Sequence, residues 1–324
     1  MITRLWAGAW LAAALAMCPC AAAPQTWPGR PVTIMVPFPA GGTADLLARE
    51  TAQALNQAFG SQFIVENRSG AGGNVAAAAI AKSAADGNNI LFASQAQAAL
   101  NKFMFKDAPY DPLRDLVPAV LVVKSPLALI ANLDARIMSF RAMVDAAKAE
   151  PGKLTIGHPG IGSMGHIALE LVQQKTAIKV TGVPYRGGAP MVTDLIGGHL
   201  PLVVDLLSNF VRLAKESKVR VLAVTSNNRV TALPESPTVR EEIGAPFEAT
   251  AWFAIMAPAG TPSEVIQKIN TVTNRYLQSA AGRDLIVKQA MEVAGGTPAD
   301  AAAFIREEVE RWEPVIAAAK ISLN

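Results

Sequence analysis

"VTIMVPFPAGGTADLLARETAQALNQAFG", Val32 to Gly60, decides the fold. A β-branched run leads into two prolines and two adjacent glycines, and Thr43 then opens a helix that reads through to Phe59. Leu47, Ala54, Leu55 and Ala58 share one helical face, with Gly60 placed as the C-cap. Strand, tight turn and helix form the first unit of a βαβ chain. A nucleotide is the first candidate to face such a helix N-terminus, because backbone N–H groups and the helix dipole attract phosphate there. The stretch lacks both G-x-G-x-x-G and G-x-x-x-x-G-K-[ST], and no Lys follows Gly42. Two readings remain, an N–H nest for a smaller anion such as a carboxylate and an ordinary tight turn.

The same alternation extends outward. "QFIVE", a helix after Asn74 and "NILFAS" continue the first half; "KLTIGHPG", a helix from Ser163, "KVTGVPY", a helix from Ala189, "LPLVVD" and "VRVLAVTS" repeat it in the second. The pattern predicts an α/β fold of two similar lobes with largely parallel sheets. "LVPAVLVVKSPLALIANLD" is too long for one ordinary strand and is broken at Pro126, which suits a crossing between lobes, with "FEATAWFAIMAPAG" as the return. The expected division is 23–124 with 250–324 as lobe 1 and 125–249 as lobe 2, joined by a two-strand hinge around a ligand cleft. Near the end, Thr261 reads as an N-cap with Pro262 at N1 and Glu264 closing a capping box, and the terminal helices are expected to pack on lobe 1.

At the other end, Arg4, an apolar run from Leu5 to Met17 and small residues through Ala23 read as a cleavable signal peptide over residues 1–22, implying a periplasmic protein. Cys18 and Cys20 both fall in this segment, so lipidation of one is an alternative, and the mature chain has no cysteine for disulfide or thiolate chemistry. Losing Arg4, with no acid in the segment, takes the formal charge from +3 to +2, which gives no reason to expect a nucleic-acid partner.

Only three histidines occur, His158, His166 and His199, with no H-E-x-x-H and no cysteine pair, so neither a metal nor a cofactor is expected. "GIGSMGH" is not the G-x-S-x-G elbow of a serine hydrolase. It does repeat the opening design: strand, Gly-rich turn, helix N-terminus, with Ser163 as cap. Two such helix ends facing one cleft would each favour an anion by about 0.3–1 kcal/mol, with N–H and hydroxyl donors adding directional bonds. Together they suit a carboxylate without Arg or Lys.

Several stretches taken together resemble one family: "WPGRPVTIMVPFPAGGTADLLAR", "VENRSGAGGNVAAAAIAKSAADG", "PYDPLRDL", "GVPYRGGAPMVTDLIGGHLPLVVD", "LAVTSNNRVTALPESPTVRE", "WFAIMAPAGTP" and "GGTPADAAAFIREEVERW". Over essentially the whole mature chain they are similar to the substrate-binding proteins of tripartite tricarboxylate transporters, the Bug family. The resemblance implies a type II periplasmic binding protein fold, a monomer without cofactor. It implies capture of a small organic carboxylate for membrane transporter subunits, or for a sensor kinase. Carried over, the ligand carboxylate meets Pro39, Ala40, Gly41, Gly42 and Thr43, then Gly70, Ala71 and Gly73. Ser94 and Gln95 end the next strand, Ser163 and His166 belong to the facing loop, Tyr185 and Gly187 come from "VPYRGG", and Asp205 ends "LPLVVD". Asp45, Asn67 and Arg186 also have plain readings, as a first-turn dipole partner, a turn former and a solvated charge. Ile161, Met164 and Leu206 stand where relatives often carry polar residues, which favours a monocarboxylate or aromatic acid over a tricarboxylate. An α/β enzyme acting on carboxylates is the rival class, and only His166 and Asp205 offer it a general base.

Overall fold

The computed structural model describes residues 27–323, so the leader read over residues 1–22, with both cysteines, lies outside the described residues. The chain runs β1 (Val32–Val36), α1 (Thr43–Phe59), β2 (Phe63–Asn67), α2 (Asn74–Ala81), β3 (Asn89–Ser94), α3 (Asn101–Met104), α4 (Pro112–Asp115) and β4 (Leu116–Ala131). It continues with α5 (Phe140–Ala149), β5 (Thr155–His158), α6 (Met164–Thr176), β6 (Thr181–Pro184), α7 (Gly188–Ile196), β7 (Leu202–Leu206), α8 (Val211–Lys215), β8 (Arg220–Val224) and α9 (Val239–Ile243). The return is β9 (Thr250–Pro258), α10 (Ser263–Gln278), α11 (Ala280–Lys288), β10 (Glu292–Gly295) and α12 (Pro298–Ala318).

The strands follow one hydrogen-bonded path, β2-β1-β3-β9-β4-β7-β5-β6, with β10 and β8 also on β4. Parallel pairs β1–β2, β1–β3, β5–β6 and β5–β7 sit in the two wings, and the antiparallel pairs gather on β4 and β9. The fold is therefore mixed α/β with two lobes, as the alternation requires.

β4 joins the wings, and here the structure corrects the sequence reading: Leu116–Ala131 is one uninterrupted strand of 16 residues. Pro126 does not break it because it stands at the change of partner. Pro126 is opposite Thr250, the last register pair with β9, and Leu127 is opposite Leu206, the first with β7. A residue without an N–H is tolerated where the ladder hands over. Thr225 closes the junction, its Oγ1 accepting the Leu127 N–H at 2.9 Å and donating to Ala249 O at 2.6 Å.

On α1 the buried stripe is Ala44, Leu47, Ala48, Thr51, Ala52 and Leu55, and Ala58 in the last turn is exposed, contrary to the expected face. Gly60 ends the helix at φ 62°, as read. The capping box expected at Thr261 is absent: the Thr261 hydroxyl donates to Pro258 O and closes the preceding turn, Pro262 becomes the N-cap, and Glu264 pairs with Lys268 at 2.7 Å. Capping boxes do start α9, from Thr238 and Glu241, and α12, from Thr297 and Asp300. The last helix is not confined to the first wing; α12 packs on β4 and also reaches α6.

Candidate functional site

The first Gly-rich turn is built around an internal carboxylate. Gly41 has φ +87°, a conformation that favours glycine, and its N–H donates to Asp45 Oδ2 at 3.0 Å. Asp45 is buried; Arg49 Nε reaches the same oxygen at 3.0 Å and Asn67 Nδ2 reaches Oδ1 at 2.9 Å. Burial alone would raise the Asp45 pKa, but these donors together hold it below the usual carboxylate range. Asp45 and Asn67 thus do more than their plain readings assigned: they pin the loop. The Gly41 N–H is already used, so a ligand anion would rely on the start of α1, where Gly42 is the N-cap and no side chain caps the helix. Pro39, Ala40, Gly41 and Gly42 are exposed, and Thr43 is half-buried.

The second turn is pressed against the first. A Cβ at Gly73, φ +89°, would lie 2.3 Å from Gln97 Nε2 and 2.9 Å from Pro37 Cβ, so only glycine fits. Gly70 and Ala71 also have positive φ, 137° and 46°. Gln97, which sequence reasoning missed, organises this corner. Its Nε2 donates to Gly72 O at 2.8 Å, and its Oε1 accepts the N–H and hydroxyl of Ser94 at 3.0 and 2.9 Å. Ser94 is therefore engaged inside the protein. Gln95 Oε1 accepts the Trp252 main-chain N–H at 3.1 Å.

In the other wing Ser163 caps α6 as the sequence predicts, its Oγ accepting the His166 N–H at 3.2 Å, which leaves the hydroxyl proton free to donate. The His166 ring turns back on its own loop, Nδ1 accepting the Gly162 N–H at 3.1 Å, and it stacks on His158 at 4.5 Å. Burial, with the His158 charge as a lesser cause, lowers its pKa to about 4, so it is neutral near pH 7. The 159–163 and 185–187 turns are zipped by Tyr185 N–H to His158 O at 2.9 Å and Gly187 N–H to Pro159 O at 3.1 Å. The Tyr185 hydroxyl donates to Asp194 at 2.7 Å. Asp205 is buried, accepts from Asn209 at 2.7 Å, and lies 2.6 Å from where a Cβ on Gly188 would sit. Burial pushes its carboxyl up to about 6, against the Leu206 and Asn209 donors.

The two wings meet. Thr43 Oγ1 lies 3.2 Å from Ser208 Oγ, and a Cβ on Gly162, φ +78°, would fall 2.8 Å from Leu323 Cδ1 and 2.9 Å from Met104 Sδ. Leu206 packs against the core clusters on both sides. A cavity of about 370 Å³ lies outside these loops, on Lys102, Phe105, Lys106, Tyr110 and their neighbours, and no residue carried over from the family lines it. The donors these turns offer an anion are backbone N–H groups and the Ser163 hydroxyl, and Gln95 at the end of β3 adds a side-chain amide whose oxygen is already engaged. Both candidate general bases are engaged by protein donors: His166 Nδ1 accepts from the Gly162 N–H and Asp205 Oδ2 accepts from Asn209. Among the described residues there is no cluster of His, Cys, Asp and Glu suited to a metal ion, and no helix is long and apolar enough to cross a membrane.

A family model described as the tripartite tricarboxylate transporter family receptor matches residues 47–321. Protein BugT of Bordetella pertussis is 36% identical over 319 residues, covering 97% of each chain. A protein from the tcbD-tcbE intergenic region of Pseudomonas sp. is 33% identical over 93% of this chain and 89% of its own. Among solved structures, Rhodopseudomonas palustris Rpa4515 with adipate superposes with a TM-score of 0.86 at 36% identity, covering 91% of this chain and 99% of its own. MatC of the same organism with bound malate has a TM-score of 0.82 at 28% identity, with 90% and 100% covered. The periplasmic binding protein BugD has 0.83 at 29%, with 91% and 99% covered.

Proposed function

The chain belongs to the tripartite tricarboxylate transporter receptor family, as a solute-binding protein, and we propose how it works there. It captures a small organic carboxylate between its two wings in the periplasm, as a monomer without cofactor or catalytic step, and hands it to the membrane subunits of the transporter. The observation that carries this reading is the meeting of Thr43, in the first turn of an uncapped helix, with Ser208 of the opposite wing. An anion held there would gain the dipole and N–H donors of α1 and, from the facing side, the Ser163 hydroxyl at the start of α6. Residues 27–124 with 250–323 form one lobe and 125–249 the other.

Within the site, Pro39 to Thr43 and Gly70, Ala71 and Gly73 form the carboxylate wall, with Ser163 and Gly187 opposite. Ser94, Tyr185 and Asp205 act by shaping that wall, since each is bonded to a protein partner, and His166 does so through Nδ1. The adipate and malate of the two neighbours support carboxylate chemistry. The aliphatic Leu206 between the wings, with Ile161 exposed in the facing turn, favours an acid with one charged head and an apolar body.

A thermal-shift panel of carboxylates against matched amides tests this. A ligand at a hundred times its Kd should add about 2.7 kcal/mol of stability and be recovered unchanged. Conversion of the stabilising compound, or equal stabilisation by the amides, would overturn the reading.

A further inference from the structure

Gln95, at the end of β3, is 5% exposed, and its side-chain oxygen accepts the Trp252 main-chain N–H. That bond decides which end of the amide is which. The carbonyl is anchored on β9, so Nε2 is the end left to donate. A primary amide held by its oxygen presents N–H donors only, which suits a carboxylate and not a cation.

Trp252 is itself held from behind. Its buried indole donates to Glu308 Oε2 at 2.9 Å, and the Trp312 indole donates to the same oxygen at 2.9 Å. Glu308, on α12, is 4% exposed, and Arg311 reaches its other oxygen at 3.3 Å. The edge of Phe304 completes the packing on Trp252, 5.5 Å between centroids. Arg311 also donates to Glu248 O, so α12 grips β9 and the segment leading into it where the chain returns from the second wing. A buried carboxylate is costly compared with apolar packing, and this one belongs to none of the site loops.

We propose that Glu308 is a positioning residue for ligand capture: by clamping the Trp252 indole it fixes the stretch of β9 that orients the Gln95 amide, donor end toward the ligand carboxylate. The proposal rests on the carboxylate reading above.

A double-mutant cycle tests it, with the tightest-binding member of a panel of adipate, malate and benzoate as probe. Glu308→Leu should weaken binding about fivefold, or about 1 kcal/mol. Glu308→Gln, whose oxygen still accepts from the indoles, should stay within about twofold. In a Gln95→Leu background Glu308→Leu should have no further effect, because the route through the amide is already cut. Should Glu308→Leu not fold, Trp252→Phe replaces it, since it removes the indole donor and keeps the main-chain N–H. Equal losses in both backgrounds, or none in the wild-type background, would overturn the positioning role. If the wild-type protein bound no carboxylate, the functional reading would fall and this proposal with it; if it bound and the cycle were additive, only the positioning role would fail.

Discussion

Thr43 Oγ1 stands 3.2 Å from Ser208 Oγ, two hydroxyls 165 residues apart in sequence and on opposite wings of the sheet. Their contact requires the wings to be closed on each other. A bulky, charged side chain at Ser208 would wedge them apart without touching either core, since Ser208 is only half-buried. Ser208→Glu should therefore lower carboxylate affinity at least tenfold, about 1.4 kcal/mol, while the urea midpoint of the free protein stays near wild type. Calorimetric titration checks it. Unchanged affinity would mean that capture does not need this closure.

The Asp45 carboxylate is the pin of the first loop, held by Gly41, Arg49 and Asn67. Its folded pKa lies below the ordinary 3.8, so the stabilisation is present above that value and is lost as pH falls through the lower folded one. Asp45→Asn should cost about 1–3 kcal/mol at pH 7, the range for leaving buried donors poorly matched. Urea unfolding should show the gap to wild type narrowing below pH 3.8. A gap of the same size at both ends would show that the charge is not what holds the loop.

His166 and Asp205 pull the pH profile in opposite directions. His166 falls from 6.5 to about 4 on folding, so the folded state binds fewer protons than the unfolded one and stability rises with pH across that window. Asp205 rises from 3.8 to about 6, so the folded state binds more and stability falls with pH over nearly the same range. The two largely cancel in the wild type. Asp205→Asn should leave the histidine slope, with stability increasing from pH 4.5 to 6, and His166→Gln should leave the opposite one, softened by His158, whose pKa is also lowered by burial. Urea unfolding at several pH values reads both slopes, and parallel profiles in the two variants would contradict the assignment.

What could be read in advance followed local chemistry. The strand–turn–helix order of Val32–Gly60, its Gly60 cap and the Ser163 cap each depend on residues close in sequence, and all three appear as read, while Ala58 falls off the buried face of the helix. Thr261 failed because a hydroxyl three residues after a carbonyl can close a turn as well as cap a helix, and Pro258 O won. Pro126 misled because its neighbours on β9 and β7 come from distant sequence, and only the pairing shows that no ladder N–H is needed there. Gln97, Ser208 and the Asp45–Asn67 bond were beyond reach for the same reason. Each acts on a partner brought close by the fold, and nothing in a single polar residue announces that partner.

The most direct test of carboxylate capture is at Gly42. Its backbone, φ −87° and ψ 176°, is extended and open to any residue, and a Cβ there would approach nothing closer than Pro39 O at 4.0 Å. Gly42→Val should therefore fold, at a cap cost of about 1 kcal/mol. Its methyl groups would stand at the uncapped start of α1, in the space assigned to the ligand carboxylate. Calorimetric titration of folded Gly42→Val with the best ligand of the panel should show affinity reduced at least tenfold, about 1.4 kcal/mol; affinity equal to wild type would place the carboxylate somewhere else.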